Sequence, residues 1–295
     1  MANNELSGVI PPMTTPFTAD GELDLAAVKT QIDWLVDCGV SGIAVGGSTG
    51  EGHALQADEF KALIECALEA ADGRTAVIAG IITDSTRESV RRGQMIRDSG
   101  VAALQVTPVH YVFKPGDDDT VGHFNTLTRE TGMPVIIYNV IPWNYLSPEL
   151  LVRVMREVQG VIGVKQSAGD MKLFADLMIS ADKEDLIFSA VDGLLYASYC
   201  LGAQGSIAAI LSAAPGPSVK LWEATKAGDH VTALDLHERL LVLWNAIVGD
   251  ALPATTKCAQ ILQGIPAGLP RQPMSMPSAS TQAEIRKALE GLDLV

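Results

Sequence analysis

The feature that most constrains this chain is an alternation repeated eight times along its length. Short apolar runs are each followed by a stretch of helical period. The runs are SGVIPPMTTP, SGIAVGGS, TAVIAGIIT, AALQVTP, PVIIYNV, VIGVKQS, IFSAVDG and GSIAAIL. Strands that are apolar throughout, rather than alternating, suit a parallel sheet covered on both faces. Eight βα units of this size total about the length of a barrel. The expected fold is therefore α/β, a (β/α)8 TIM barrel over residues 1–224, followed by a C-terminal helical region over 225–295. A doubly wound open sheet is the rival. It usually has fewer units, and no dinucleotide fingerprint follows the first run.

Helix boundaries are well marked. Asp24 and Asp170 are expected N-caps, and Ser147 with Pro148 opens another helix. Gly39, Gly73, Gly100 and Gly132 stand just past helix ends, where a positive φ is wanted. Beyond about residue 225, HVTALDLHERLLVLWNAIVGD, TTKCAQILQGI and TQAEIRKALEGL read as helices, with a Pro-rich connection before the last.

Composition excludes several classes. The net charge is −14, and no basic stripe is available to neutralise phosphates, so no nucleic-acid partner is expected. Arg87, Arg91 and Arg92 alternate with Glu88 and read as a solvated helix face. Charged residues are only 19%, which leaves neutral surface for subunit contacts. Cys38, Cys66, Cys200 and Cys258 are scattered among apolar neighbours, as expected of buried thiols in a reducing cytoplasm. The start, MANNELSGVIPPM, has no basic or apolar leader region. No apolar stretch reaches the roughly 18 residues needed to span a bilayer.

A barrel carries its active site at the C-terminal ends of its strands. Reactive groups collect there. The second run ends in Gly46-Gly47-Ser48-Thr49-Gly50-Glu51, the fifth in Tyr138-Asn139, the sixth in Lys165-Gln166 and the seventh in Asp192-Gly193. A lysine leaving an apolar strand into a packed barrel is desolvated. Its ammonium form is then disfavoured, and the amine becomes a nucleophile for carbonyls. The alternative is a lysine that snorkels to solvent. Tyr138, one strand away, favours the nucleophile and can move a proton.

Ser48, Thr49 and Gly50 offer hydroxyls and loop amides to an anion, here a carboxylate. The turn is not a P-loop, because no Lys-Ser or Lys-Thr follows at the required spacing. Glu51 is expected to bond loop amides. Asp192 either binds a substrate hydroxyl or caps the next helix. Ile207, in the eighth run, joins the substrate-side candidates. The histidines show no metal-ligand spacing, so no metal is expected.

TTPF at Thr14 to Phe17, GGSTGE at Gly46 to Glu51, Thr107-Pro108, Tyr138-Asn139 and GVKQSAGD at Gly163 to Asp170 occur in this order. With these pieces the chain resembles the dihydrodipicolinate synthase / N-acetylneuraminate lyase family along nearly its full length. The resemblance implies a class I lyase, aldolase or hydro-lyase, in which Lys165 forms an imine with pyruvate or another 2-oxo acid. It implies that Tyr138 relays protons and that Ser48 and Thr49 hold the carboxylate. It also implies a homotetramer built as a dimer of dimers, with no external cofactor.

Three departures bear on the substrate. No arginine follows Tyr138-Asn139, which removes an expected carboxylate clamp. Asp192 is followed by Gly193 rather than by the glutamate of neuraminate lyases. Where relatives carry a tyrosine that completes the relay from a neighbouring subunit, this chain has His110 and then Tyr111. Trp143 offers a flat wall at the mouth and points to a less polar or aromatic aldehyde portion. Three alternatives stand beside the leading reading. They are 4-hydroxy-tetrahydrodipicolinate synthase with an altered carboxylate site, a non-catalytic 2-oxo acid binding homologue, and a metal-dependent aldolase.

Overall fold

A computed structural model describes residues 6–295. Residues 1–5, where the stretch examined for a leader begins, lie outside the described residues. Eight parallel strands form one sheet in the order β1-β8-β7-β6-β5-β4-β3-β2. They are β1 (Gly8–Val9), β2 (Gly42–Val45), β3 (Ala76–Ile81), β4 (Ala103–Val106), β5 (Val135–Asn139), β6 (Val161–Gln166), β7 (Leu186–Ser189) and β8 (Gly205–Ser206). Backbone hydrogen bonds from Ser41 N to Val9 O, Ala44 N to Pro11 O and Met13 N to Ala44 O join β2 to the β1 segment. This is the expected TIM barrel. Apolar strands form it because helices cover the outside and side chains fill the inside.

The helices over the barrel are α1 (Leu25–Asp37), α2 (Ala57–Ala71), α3 (Thr86–Ile96), α4 (Asp117–Thr131), α5 (Pro148–Glu157), α6 (Met171–Ser180), α7 (Leu195–Cys200), α8 (Ala209–Ala213) and α9 (Pro215–Ala227). Three more follow, α10 (His230–Ile247), α11 (Leu252–Leu262) and α12 (Ala279–Glu290). Asp24 accepts from Ala27 N, Ser147 from Leu150 N and Asp170 from Lys172 N, so all three act as N-caps. Gly39, Gly73, Gly100 and Gly132 all have positive φ.

The eighth run departs from the reading. Only Gly205 and Ser206 pair as strand, and the chain turns helical from Ala209. The apolar run is continuous because both pieces are buried, and periodicity cannot separate a short buried strand from a short buried helix. The thiols depart too. Cys66 and Cys258 are buried, but Cys38 is half-buried and Cys200 is exposed, and all four are free.

Inside the barrel, Ile10, Ala44, Ile78, Ala103, Ile136 and Phe188 pack as an apolar plug. A larger apolar shell lies between strands and helices. Phe188 of this cluster is the register partner of Lys165, and the cavity that Lys165 lines is formed with residues at the strand ends. Among the described residues, no helix is long and apolar enough to cross a membrane.

Candidate active site

Tyr138 on β5 and Lys165 on β6 are register partners. The Lys165 Nζ lies 3.7 Å from the centroid of the Tyr138 ring. Both side chains are nearly sealed, at 3% and 4% exposure. Burial pulls the Lys165 ammonium down to about 7, against the pull of the Asp192 carboxylate. Such an amine is substantially neutral at physiological pH and able to attack a carbonyl carbon. Burial pushes the Tyr138 phenol up to about 12, against a hydrogen bond with Ser48, with Asp192 and Tyr145 adding to the rise. The phenol therefore stays protonated, and its oxygen can both give and accept a proton.

The turn after β2 brings Ser48 and Thr49 to the same place. It folds back sharply, with Glu51 N donating to Ser48 O at 3.0 Å and Gly52 N to Gly47 O at 3.0 Å. Glu51 takes left-handed backbone at φ 54, uncommon for a residue with a side chain. Gly50 is obligatory for space, because a Cβ there would meet Met13 O at 2.7 Å. Thr15 of the TTPF stretch pins the turn, donating to Gly50 O at 2.6 Å.

Glu51 does not bond the amides of its own loop, as the sequence reading had it. One oxygen accepts from Lys257 Nζ at 2.6 Å and the other from Arg271 N at 2.8 Å. Lys257, on α11, also donates to Leu269 O at 2.7 Å and is fully buried. Burial lowers its pKa, opposed by Glu51. Lys257 and Arg271 both stack on the Phe17 ring, at 4.8 and 4.1 Å. Arg271 in turn pairs with Glu59, whose carboxyl it holds below the usual range. A buried ion pair of this kind depends on further hydrogen bonds, and here each Glu51 oxygen has a donor and Lys257 has a second acceptor.

Asp192, half-buried after β7, accepts from Ile210 N at 2.8 Å through Oδ1. It thus caps α8, two elements beyond the adjacent α7 that the reading had in view. Burial raises its carboxyl to about 6, opposed first by the Ile210 amide and then by Lys165.

These groups line one cavity of about 480 Å³. It gathers Ser48, Thr49, Tyr138, Lys165, Asp192 and Ile207 from the expected set. It also includes Val140, Ser167 and Ala190, which lie in the apolar runs but carried no expected role, His53, and Asp250, Leu252, Pro253 and Met274 from the C-terminal region. The last four carried no signal, because nothing local in the sequence ties residues 250–274 to a barrel mouth.

Four expected residues do not line this cavity within one chain. Gly50 packs against Met13, as described. His110 sits with Nδ1 3.2 Å from Pro108 O and Nε2 4.0 Å from the Asp84 carboxylate. Trp143 donates its indole N–H to His110 O at 3.0 Å and is 65% exposed. Tyr111 is 66% exposed. The apolar wall assigned to Trp143 is supplied instead by Leu252, Pro253 and Met274. A second cavity, of about 430 Å³, lies between Asp84 and the start of α4 and holds none of the reactive groups. No three His, Cys, Asp or Glu side chains gather as a metal site among the described residues.

Comparison with known proteins gives the family. The Dihydrodipicolinate synthetase family profile matches residues 5–292. The chain is 30% identical over 294 residues to 4-hydroxy-tetrahydrodipicolinate synthase of Methanopyrus kandleri, covering 99% of this chain and 98% of that one. The enzyme of the same name from Salinibacter ruber is 34% identical over 259 residues, covering 86% and 85%. Among solved structures, YagE of E. coli, a prophage protein of the dihydrodipicolinic acid synthase family in complex with pyruvate, superposes with a TM-score of 0.93 at 27% identity, covering 98% and 99%. Dihydrodipicolinate synthase from Aquifex aeolicus gives 0.92 at 28%, covering 98% and 99%. A fold, a cavity and a full-length match thus converge, and the chain belongs to the dihydrodipicolinate synthetase family of class I lyases.

Proposed function

We propose that Lys165 captures pyruvate, or a substituted 2-oxo acid, as a Schiff base, and that this imine is the working intermediate of a lyase. The observation that carries the reading is the sealed pairing of Lys165 with Tyr138, 3.7 Å from Nζ to ring centroid, in a cavity walled by hydroxyls. The neutral amine attacks C2 of the 2-oxo acid. The carbinolamine then loses water, and the Tyr138 hydroxyl hands the departing oxygen its proton. The protonated imine draws electrons from C3. Either C3 loses a proton, or the C3–C4 bond breaks as the C4 hydroxyl gives up its proton and an aldehyde leaves. Protonation of the enamine at C3 and hydrolysis return the amine.

Ser48 and Thr49 hold the C1 carboxylate, through hydroxyls and the amides of their turn. The pyruvate held by the YagE structure supports this substrate class. Incubation with pyruvate, borohydride reduction and peptide mass spectrometry test the reading. A pyruvate-derived adduct on the Lys165 peptide is the expected result, and a folded protein without one overturns it.

The relatives' names favour a second reading, 4-hydroxy-tetrahydrodipicolinate synthase, tested by condensation of pyruvate with aspartate semialdehyde. We further propose a cytoplasmic homotetramer with residues 225–295 as its helical appendage. Tyr111, Val112, Phe113 and Trp143 form an exposed apolar patch suited to subunit contact. Free thiols suit a reducing compartment.

A further inference from the structure

We propose that the far half of the substrate, beyond the 2-oxo acid, carries no carboxylate. The inference rests on the Schiff-base reading, adds to it a charge rule set by Asp192 and Asp250, and stands against the second reading, since aspartate semialdehyde would bring a carboxylate to the far half. Among the residues that line the cavity, Lys165 is the single lysine or arginine. Imine formation consumes it, and the resulting cation is matched by the C1 carboxylate of the same substrate. A second carboxylate would find no lysine or arginine of its own among the described lining residues.

The neighbouring cations do not fill this gap. Lys257 is held by Glu51 and Leu269 O, and Arg271 by Glu59. His53, also in the wall and exposed, is its one imidazole, and the carboxylates there are Asp192 and Asp250. Asp192 stands close enough to Lys165 for each to shift the other, and Asp250 lines the rim, where it is exposed. Two carboxylates facing an incoming third repel it, most strongly where water is excluded. The surfaces left for the far half are Val140, Ile207, Leu252, Pro253 and Met274. That wall favours a neutral chain, with Asp192 available to accept from a hydroxyl.

Matched 2-oxo acids test this with the full-length enzyme. 2-Oxopentanoate and 2-oxoglutarate have chains of equal length and differ by the terminal carboxylate, as do 2-oxohexanoate and 2-oxoadipate. Each is titrated with borohydride, and the adduct on the Lys165 peptide is quantified beside a pyruvate control. The neutral member is expected to reach half-maximal trapping at a concentration at least about 10-fold lower than its dicarboxylate partner, with the gap narrowing at high salt. Asp250→Arg is expected to improve trapping of the dicarboxylates at least about 5-fold, by adding a rim cation. Equal trapping within pairs, including failure of both members while pyruvate is trapped, overturns the charge rule and leaves the Schiff-base reading standing. Preference for the dicarboxylates does the same. Loss of the pyruvate adduct itself is the separate failure of the Schiff-base reading.

Discussion

Replacing Lys165 with methionine is expected to stabilise the protein while ending imine chemistry. The ordinary lysine value is 10.5, and burial brings Lys165 down to about 7. That gap corresponds to about 5 kcal/mol of differential interaction between the charged and neutral forms. Between the two values the unfolded chain holds a proton that the native chain lacks, so stability rises with pH across this window. This contribution is fully present above the unfolded value and is lost as pH falls from 10.5 toward about 7. Methionine has nearly the same length and no charge, so the variant escapes the loss at pH 7. Part of the gain is offset, because Asp192 loses the cation that lowers its carboxyl. A net gain of about 1–3 kcal/mol remains. For a chain of this size that raises the melting temperature by about 2–10 °C. Calorimetry at pH 7 and again near pH 10 is the assay. The advantage of the variant should be clear at pH 7 and much smaller near pH 10. A variant no more stable than the parent at pH 7, or an advantage that does not change with pH, would refute the desolvation argument.

Three further outcomes follow from the same geometry. Tyr138→Phe keeps the packed ring and removes the proton carrier. Pyruvate should still be trapped on Lys165, while turnover falls about 10²–10⁴-fold, and normal turnover would remove the relay role. The initial rate of pyruvate trapping should climb as pH rises through about 7, since only the neutral amine attacks, and a pH-independent rate would contradict the lowered value. Lys257→Met strands the buried Glu51 carboxylate and should cost about 3–5 kcal/mol in urea unfolding. The double variant Lys257→Met with Glu51→Gln should recover a large part of that loss, because the stranded charge is then gone. Equal instability of the single and double variants would show that packing, rather than charge, dominates there.

The barrel was legible because its signal is repeated and local: eight apolar runs, each bounded by turn and cap residues that act within a few positions. The placement of Lys165 and Tyr138 side by side was legible for a related reason. A reactive side chain that ends an apolar strand in this fold has one place to be, and adjacent strands set the pair side by side. Asp192 was half legible. Its carboxylate does cap a helix, but α8 rather than the neighbouring one, since the short eighth strand returns the chain to β7. Lys257 left a trace that went unread, a lysine among Cys258, Ala259 and other residues of a buried helix face. Asp250, Leu252, Pro253 and Met274 left none. Their position depends on how the last helices lie across the barrel mouth, and sequence periodicity carries no information about that. Trp143 was expected at the mouth because it follows Tyr138-Asn139, but it is exposed, bonds His110 O and does not line the cavity within one chain.

The partner of Glu51 lies 206 residues downstream. During synthesis the first half of the barrel leaves the ribosome with that carboxylate committed to a turn and its ammonium not yet made. A buried carboxylate without a partner is strongly unfavourable, so the turn cannot settle into its final form at that stage. The first strands can pair and the floor can pack, but the anion-holding turn is completed only when α11 and Arg271 have emerged. The site that would hold the substrate is therefore among the last parts of the molecule to become native, although its hydroxyls are among the first residues translated.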